Sequence, residues 1–206
     1  MVLVKYNNNS ISTISSAGQL ASGSLVPIKT LTASSSSTLS FVDGSSDVVL
    51  DNTYPIYLFK FINIHPATDS TEFGVGFRDG STDYDATKTT TAFVAVHNEG
   101  DSEAALNNRS SNEGLSQNTG FQSLNLNMGN GNDESLSGEM FLFNPSSTTF
   151  VKNFISSSMS NAHNGSYAWN TFMAGYGNTT SAVNGIRFKM SSGNIDSGVI
   201  KLYGIS

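Results

Sequence analysis

Along most of the chain, apolar and polar residues alternate with a period of two, in short runs separated by clusters of Gly, Ser, Asn and Asp. That is the pattern of strands joined by turns. The alternation is cleanest near the C-terminus, where Ile186, Phe188 and Met190 point one way and Arg187 and Lys189 the other. After the turn-rich stretch from Ser191 to Asn194, Ile200 and Leu202 share one face while Val199, Lys201 and Tyr203 share the opposite one. The sequence closes inside this strand, so the pattern predicts a last strand pinned in a sheet.

The same reading places strands upstream. Leu25 to Thr32 carries Pro27 and suits an edge position, because proline has no N–H to give to a ladder. Ser34 to Ser37 is expected to end it, Thr38 to Val42 is a short strand, Asp43 to Ser46 a turn, and Val48 to Leu50 a further short strand or a buried loop anchor. Ile56 to Ile62 is apolar on both faces apart from Lys60, which predicts a place in the interior of a sheet, closed by turn chemistry from His65 to Asp69. In Glu72 to Arg78, Phe73, Val75 and Phe77 share one face, while Gly74 and Gly76 leave the other open to a close neighbour. Thr91 to Val96, Phe121 to Leu126, Gly138 to Phe143, Phe150 to Ile155, and Ser166 to Met173 followed by Gly175 to Thr180 complete the set. Residues 97–120 are the least regular; within them Asp101 to Leu106, with an N-cap residue and early acids, is expected to form one helical turn.

The sum is about ten strands and almost no helix, an all-β chain read as an antiparallel β-sandwich or jelly roll over residues 25–206. Residues 1–24 show neither period and are rich in small polar side chains, so they are expected to form an extended N-terminal arm used in assembly or anchoring.

Composition narrows the classes of function. A chain of 206 residues can bury a real core. Only 13% of residues are charged, with 10 basic against 16 acidic for a net charge of −6, and the basic ones are scattered. Nucleic-acid binding is therefore not expected, since it needs clustered Lys and Arg to displace counterions. With no cysteine, disulfides and thiolate metal sites are excluded. The N-terminal residues lack the apolar region of a signal peptide and no stretch approaches the ~20 apolar residues of a membrane span. The expectation is a cytoplasmically made protein without membrane insertion.

Candidate chemistry is sparse. His65, His97 and His163 fall in separate loops or strand ends, and no nucleophile elbow, zinc-binding His pair or phosphate-cradling loop is present. Glu72, Asp79, Asp83, Asp85, Glu99 and Glu103 could supply the carboxylate pair of a glycan-cleaving enzyme, set about 5 to 10 Å apart. Most lie in turns or at strand ends, where hydrogen bonding to the local backbone explains them. A non-enzymatic protein without a cofactor is expected. The metal candidate is calcium, at Asp79, Asp83 and Asp85, with a second oxygen-rich loop at Asn130, Asn132, Asp133 and Glu134; neither has the spacing of an EF-hand. Tyr167, Trp169 and Tyr176, set among Gly, Asn and Ser, are the candidate glycan-stacking residues, although Trp169 also fits a strand face.

The run from Ser191 to Ile205, Ser-Ser-Gly-Asn-Ile-Asp-Ser-Gly-Val-Ile-Lys-Leu-Tyr-Gly-Ile, resembles the closing signature of small β-rich virion proteins of tailed bacteriophages, especially those of marine bacteria. Tyr54 to Asp69 resembles a strand segment of the same group, and Val4 to Ile14 its polar lead-in. The resemblance implies a virion protein on the particle exterior, either a capsid decoration (cement) subunit or a tail-fibre or tail-appendage subunit. It also implies other virion proteins as partners. A homotrimer, assembled through the arm and the edge strands, is expected, and the alternative reading is a carbohydrate-binding, receptor-binding module that touches a host surface glycan.

Overall fold

The computed structural model describes residues 25–110, 113–163 and 166–206; the expected arm, residues 1–24, lies outside them. Among the described residues there are twelve strands: β1 (Leu25–Ser36), β2 (Leu39–Val42), β3 (Ile56–Pro66), β4 (Phe73–Arg78), β5 (Lys88–Asn98), β6 (Ala104–Asn108), β7 (Gln122–Ser123), β8 (Leu136–Phe143), β9 (Lys152–Asn161), β10 (Tyr167–Gly177), β11 (Gly185–Met190) and β12 (Ile195–Ile205). All pairings are antiparallel. An eight-stranded sheet runs in the order β1-β12-β3-β8-β9-β10-β5-β6, and a four-stranded sheet in the order β2-β11-β4-β7. The two face each other as the predicted β-sandwich. Pro27 does sit in an edge strand, and β3 does lie in the sheet interior.

The alternation seen in the sequence is what joins the sheets. Inward from the large sheet come Tyr57, Phe59 and Phe61 of β3, Met140 and Leu142 of β8, Phe154 of β9 and Ile200 and Leu202 of β12; inward from the small one come Phe41, Phe73, Val75, Phe77, Ile186 and Phe188. Phe188 is the hub. Its ring centroid lies 5.3 Å from Phe61, 5.5 Å from Phe59, 5.4 Å from Phe73 and 6.3 Å from Phe41. Those neighbours belong to both sheets, so one side chain links the two layers.

The C-terminal strand β12 is held on both sides, by β1 and by β3. Its glycines have structural causes. Gly198 has φ +121° at a register shift opposite β3, where a Cβ would lie 2.6 Å from the Asn63 carbonyl, and Gly204 leaves the space that the Tyr54 ring occupies. β11, the preceding strand, belongs to the small sheet, so the turn at Ser191 to Asn194 carries the chain across the sandwich.

Several local expectations are corrected. Asp101 to Leu106 forms no helical turn; β6 occupies part of it as an exposed edge strand paired with β5. The capping chemistry is real but serves a hairpin, because the Asn98 side-chain oxygen accepts from the backbone N–H groups of Ser102 (2.9 Å) and Glu103 (3.0 Å), with Asp101 at φ +51°. Ser34 to Ser37 does not end β1, which runs to Ser36 against β12. Phe121 to Leu126 shrinks to the two-residue β7, since Phe121 packs over Gly74 and Gly76 and under the Lys189 ammonium, 4.5 Å from its ring. Ser166 to Gly177 is nearly all one strand, unbroken by Gly175. Val48 and Leu50 are buried loop anchors.

Two lysines are buried outright. Lys88 and Lys152 stand opposite Gly177 from the two strands that flank it. The Lys88 ammonium donates to the Ala86 carbonyl (2.6 Å), and that of Lys152 to the carbonyls of Phe150 (2.7 Å) and Thr179 (3.1 Å). Burial pushes the Lys88 pKa down to about 8, against the opposing pull of Asp85 and Asp79. Lys152 is lowered by burial as well.

A folded-state pKa below the unfolded one means the unfolded chain holds the extra proton, so stability rises as pH climbs from about 8 towards the ordinary lysine value. Tyr57, raised by burial and then by the Asp51 charge, acts in the opposite direction once unfolded tyrosines ionise near pH ~10. Between about pH 8 and about pH 9.5 the urea midpoint of the wild type is therefore expected to increase, and Lys88→Met to flatten most of that rise. A wild-type midpoint that falls across this interval would contradict the assignment.

Candidate binding cleft

Eight strands face four, so part of the large sheet's inner face is left uncovered at the β10-β5-β6 side. There a cleft of about 410 Å³ opens. Its floor comes from period-two geometry: Tyr167 and Trp169 are two residues apart on β10 and point the same way, ring centroids 6.2 Å apart with planes tilted by 39°. Val96 of β5 and Asn107 of β6 continue the floor, and Leu126 and Asn127 close the side nearest the core.

The walls carry the charge. The Arg109 guanidinium donates to both oxygens of Glu113, Nε to Oε2 at 3.0 Å and Nη2 to Oε1 at 2.6 Å, a fork in which the Glu113 side chain is only 10% exposed. A backbone bond from Glu113 N–H to the Arg109 carbonyl (2.9 Å) and one from Arg109 N–H to the Ala92 carbonyl (2.9 Å) hold this turn on β5. The Tyr167 hydroxyl donates to Glu103 Oε2 at 3.1 Å, and that carboxylate raises the tyrosine's pKa. Glu72, immediately before β4, faces the cleft from the small sheet; burial pushes its carboxyl up, a hydrogen bond with Ser123 opposes this, the Glu113 charge adds to it and the Arg109 charge pulls it back. The result is a flat aromatic surface beside a rim of amide, guanidinium and carboxylate groups. Such a site can stack on the apolar face of a sugar ring while bonding its hydroxyls.

The structure unites some sequence candidates and separates others. Tyr167 and Trp169 come together, but Tyr176 does not join them. It lies nine residues along β10, roughly 30 Å away at strand rise, and its register partners Thr89 and Asn153 put it on the outer face of the sheet. Glu72 and Glu103, separate in sequence, meet at the cleft. Asp79, Asp83 and Asp85 do not converge, and among the described residues no three His, Cys, Asp or Glu side chains gather into a metal-binding group. Asp79 and Asp85 instead offset the buried Lys88 charge. In the second loop, Glu134 turns back to accept from the Gly131 N–H (2.7 Å). His97 pairs with Asp101 at 3.0 Å on the exposed β5-β6 hairpin, and His65 Nε2 lies 3.1 Å from the Gly131 carbonyl.

Arg109, Glu113, Asn107 and Asn127 were not among the sequence candidates. Their four positions show no shared spacing, because a strand (β6), the turn after it and the loop between β7 and β8 deliver them.

A second surface stands out on the opposite side of the large sheet. The register aligns Tyr203, Leu58, Phe141, Ile155 and Ala174 in one row across β12, β3, β8, β9 and β10. Phe172 stacks on Phe93 at 4.8 Å, and Phe93, Ile155, Met159 and Ile62 are all exposed. The Lys60–Glu139 pair, at 2.5 Å, sits in the middle.

No family model, curated protein or solved structure matches the chain.

Arg109→Ala strands the buried Glu113 carboxylate and is expected to cost about 1–3 kcal/mol, read from urea denaturation. Adding Glu113→Gln should return most of that loss. If Arg109→Ala unfolds at the wild-type midpoint, the fork contributes no stability.

Proposed function

We propose that this chain is a non-enzymatic building block of a bacteriophage particle's exterior, a capsid decoration or tail-fibre subunit, which self-associates through the outer face of its large sheet. The observation that carries this reading is that face. Scattered exposed hydrophobic residues are ordinary, but a contiguous row with a stacked Phe93–Phe172 pair is the mark of a surface that meets another protein. The resemblance of Ser191 to Ile205 to phage virion proteins supports the same reading. Those residues include β12, whose outward side chains Val199, Lys201, Tyr203 and Ile205 belong to this face. Homotrimeric association is the arrangement proposed, with the cleft left accessible on the inner side. Sedimentation velocity should show a trimer for the wild type and monomers for Ile155→Asp and Phe172→Asp, with melting temperatures retained because both side chains lie outside the core. A monomeric wild type at tens of micromolar would defeat the proposal.

The cleft favours a second reading, that the subunit also binds carbohydrate on a host surface. Its support is the paired Tyr167–Trp169 floor beside hydrogen-bonding groups. Trp169→Ala is expected to lower affinity for an oligosaccharide by about tenfold or more, in line with the loss of one aromatic contact. Isothermal titration checks this, and an unchanged affinity would remove Trp169 from the site.

A further inference from the structure

The aromatic floor accounts for sugar stacking but leaves the charge of the cleft unexplained. Four ionisable side chains other than Tyr167 line it: Glu72, Glu103, Glu113 and Arg109. Glu113 and Arg109 neutralise each other through their two hydrogen bonds. Glu103 and Glu72 remain, and among the described residues neither forms an ion pair. Glu103 takes the Tyr167 hydroxyl on Oε2, which leaves Oε1 to face solvent or a ligand. The cleft therefore sets two carboxylates beside two electron-rich rings with no ion pair of their own, Glu72 feeling only an Arg109 already engaged by Glu113, on a chain whose net charge is already −6.

Carboxylates beside aromatic faces are the recognition chemistry of an organic cation. An ammonium group can donate up to three hydrogen bonds, gains from the ring quadrupole when it lies over Trp or Tyr, and is drawn in by the field of an acidic cleft. A carboxylate or sulfate on the ligand would meet like charge in a partly desolvated site, which is costly. A neutral hydroxyl ligand can hydrogen-bond these carboxylates but leaves their charge uncompensated.

Resting on the reading of this cleft as a saccharide site, we propose that its ligand is a sugar bearing a free amino group, with the ammonium bound by Glu103 and Glu72 beside the Tyr167–Trp169 surface. The sugar ring supplies the stacking face and the amine supplies the specificity.

Isothermal titration of the full chain tests this with three oligosaccharides of equal length: glucosamine, N-acetylglucosamine and galacturonic acid oligomers, at low salt and at a pH where the amine is protonated. The glucosamine oligomer is expected to bind about tenfold or more tighter than its acetylated counterpart, the size of one charge-assisted hydrogen bond. The galacturonate should bind weakest. Added salt should narrow the ratio. Glu103→Gln keeps an acceptor for Tyr167 on an exposed residue and should bring the ratio close to one; Glu72→Gln is the second variant and should reduce it. Equal binding of all three, tightest binding of the galacturonate, or a ratio untouched by both substitutions would overturn the proposal while leaving the saccharide reading in place. Absence of binding to any of them would overturn both.

Discussion

The two sheets are joined by an aromatic cluster centred on one ring. Phe188 lies against Phe41 and Phe73 in its own sheet and against Phe59 and Phe61 in the other, three of the contacts edge-on and that with Phe73 stacked. Edge-to-face contacts depend on orientation as well as area, so the cluster fixes how the small sheet is set over the large one. The position of Glu72, immediately before Phe73, follows from that setting. A slip of one residue in β11 would turn Phe188 outward and Arg187 and Lys189 into the core, and the alternation of this strand resists it.

The unequal width of the sheets creates the site. Four strands cannot cover eight, and the uncovered strip at β10, β5 and β6 keeps the inward alternation of a core strand without a sheet above it. Trp169 and Tyr167 continue the same inward-facing row as buried Thr171 and Met173, yet they face a cleft. The loop that crosses from β6 to β7 fills part of the gap and brings Arg109 and Glu113. The outer face of the large sheet follows from the same breadth: a wide sheet with one covered side presents its other side whole, and here an apolar row crosses it beside the Lys60–Glu139 pair.

Charge is used sparingly, and mostly against a local need. Lys88 and Lys152 close the end of the sandwich by donating to backbone carbonyls, Asp79 and Asp85 temper the cost of burying Lys88, and Glu134 satisfies its own loop. The carboxylates among them looked like candidate chemistry in one dimension. In three dimensions each has a structural partner. Glu72 and Glu103 differ from them in lining an open cleft without an ion pair of their own, which is why they carry a functional argument and the others do not.

What could be read from the residues alone was whatever depends on neighbours in sequence. Period-two alternation marked β4, β11 and β12 and their buried faces, a run apolar on both sides placed β3 in a sheet interior, proline placed β1 at an edge, and the spacing of Tyr167 and Trp169 put both rings on one side of a strand. Alternation says nothing about where a strand ends once a partner holds it, so β1 ran through its serines and β10 through its glycine, and the capping residues near Asp101 closed a hairpin instead of starting a helix. Only the tertiary structure decided which strands share a sheet, that β11 and β12 part company, that Tyr176 faces away from the aromatic pair, and that Glu72, Glu103, Arg109 and Glu113 meet. The physical reason is that such meetings are set by long-range strand order and by the packing of the two layers, and neither leaves a periodic trace along the chain.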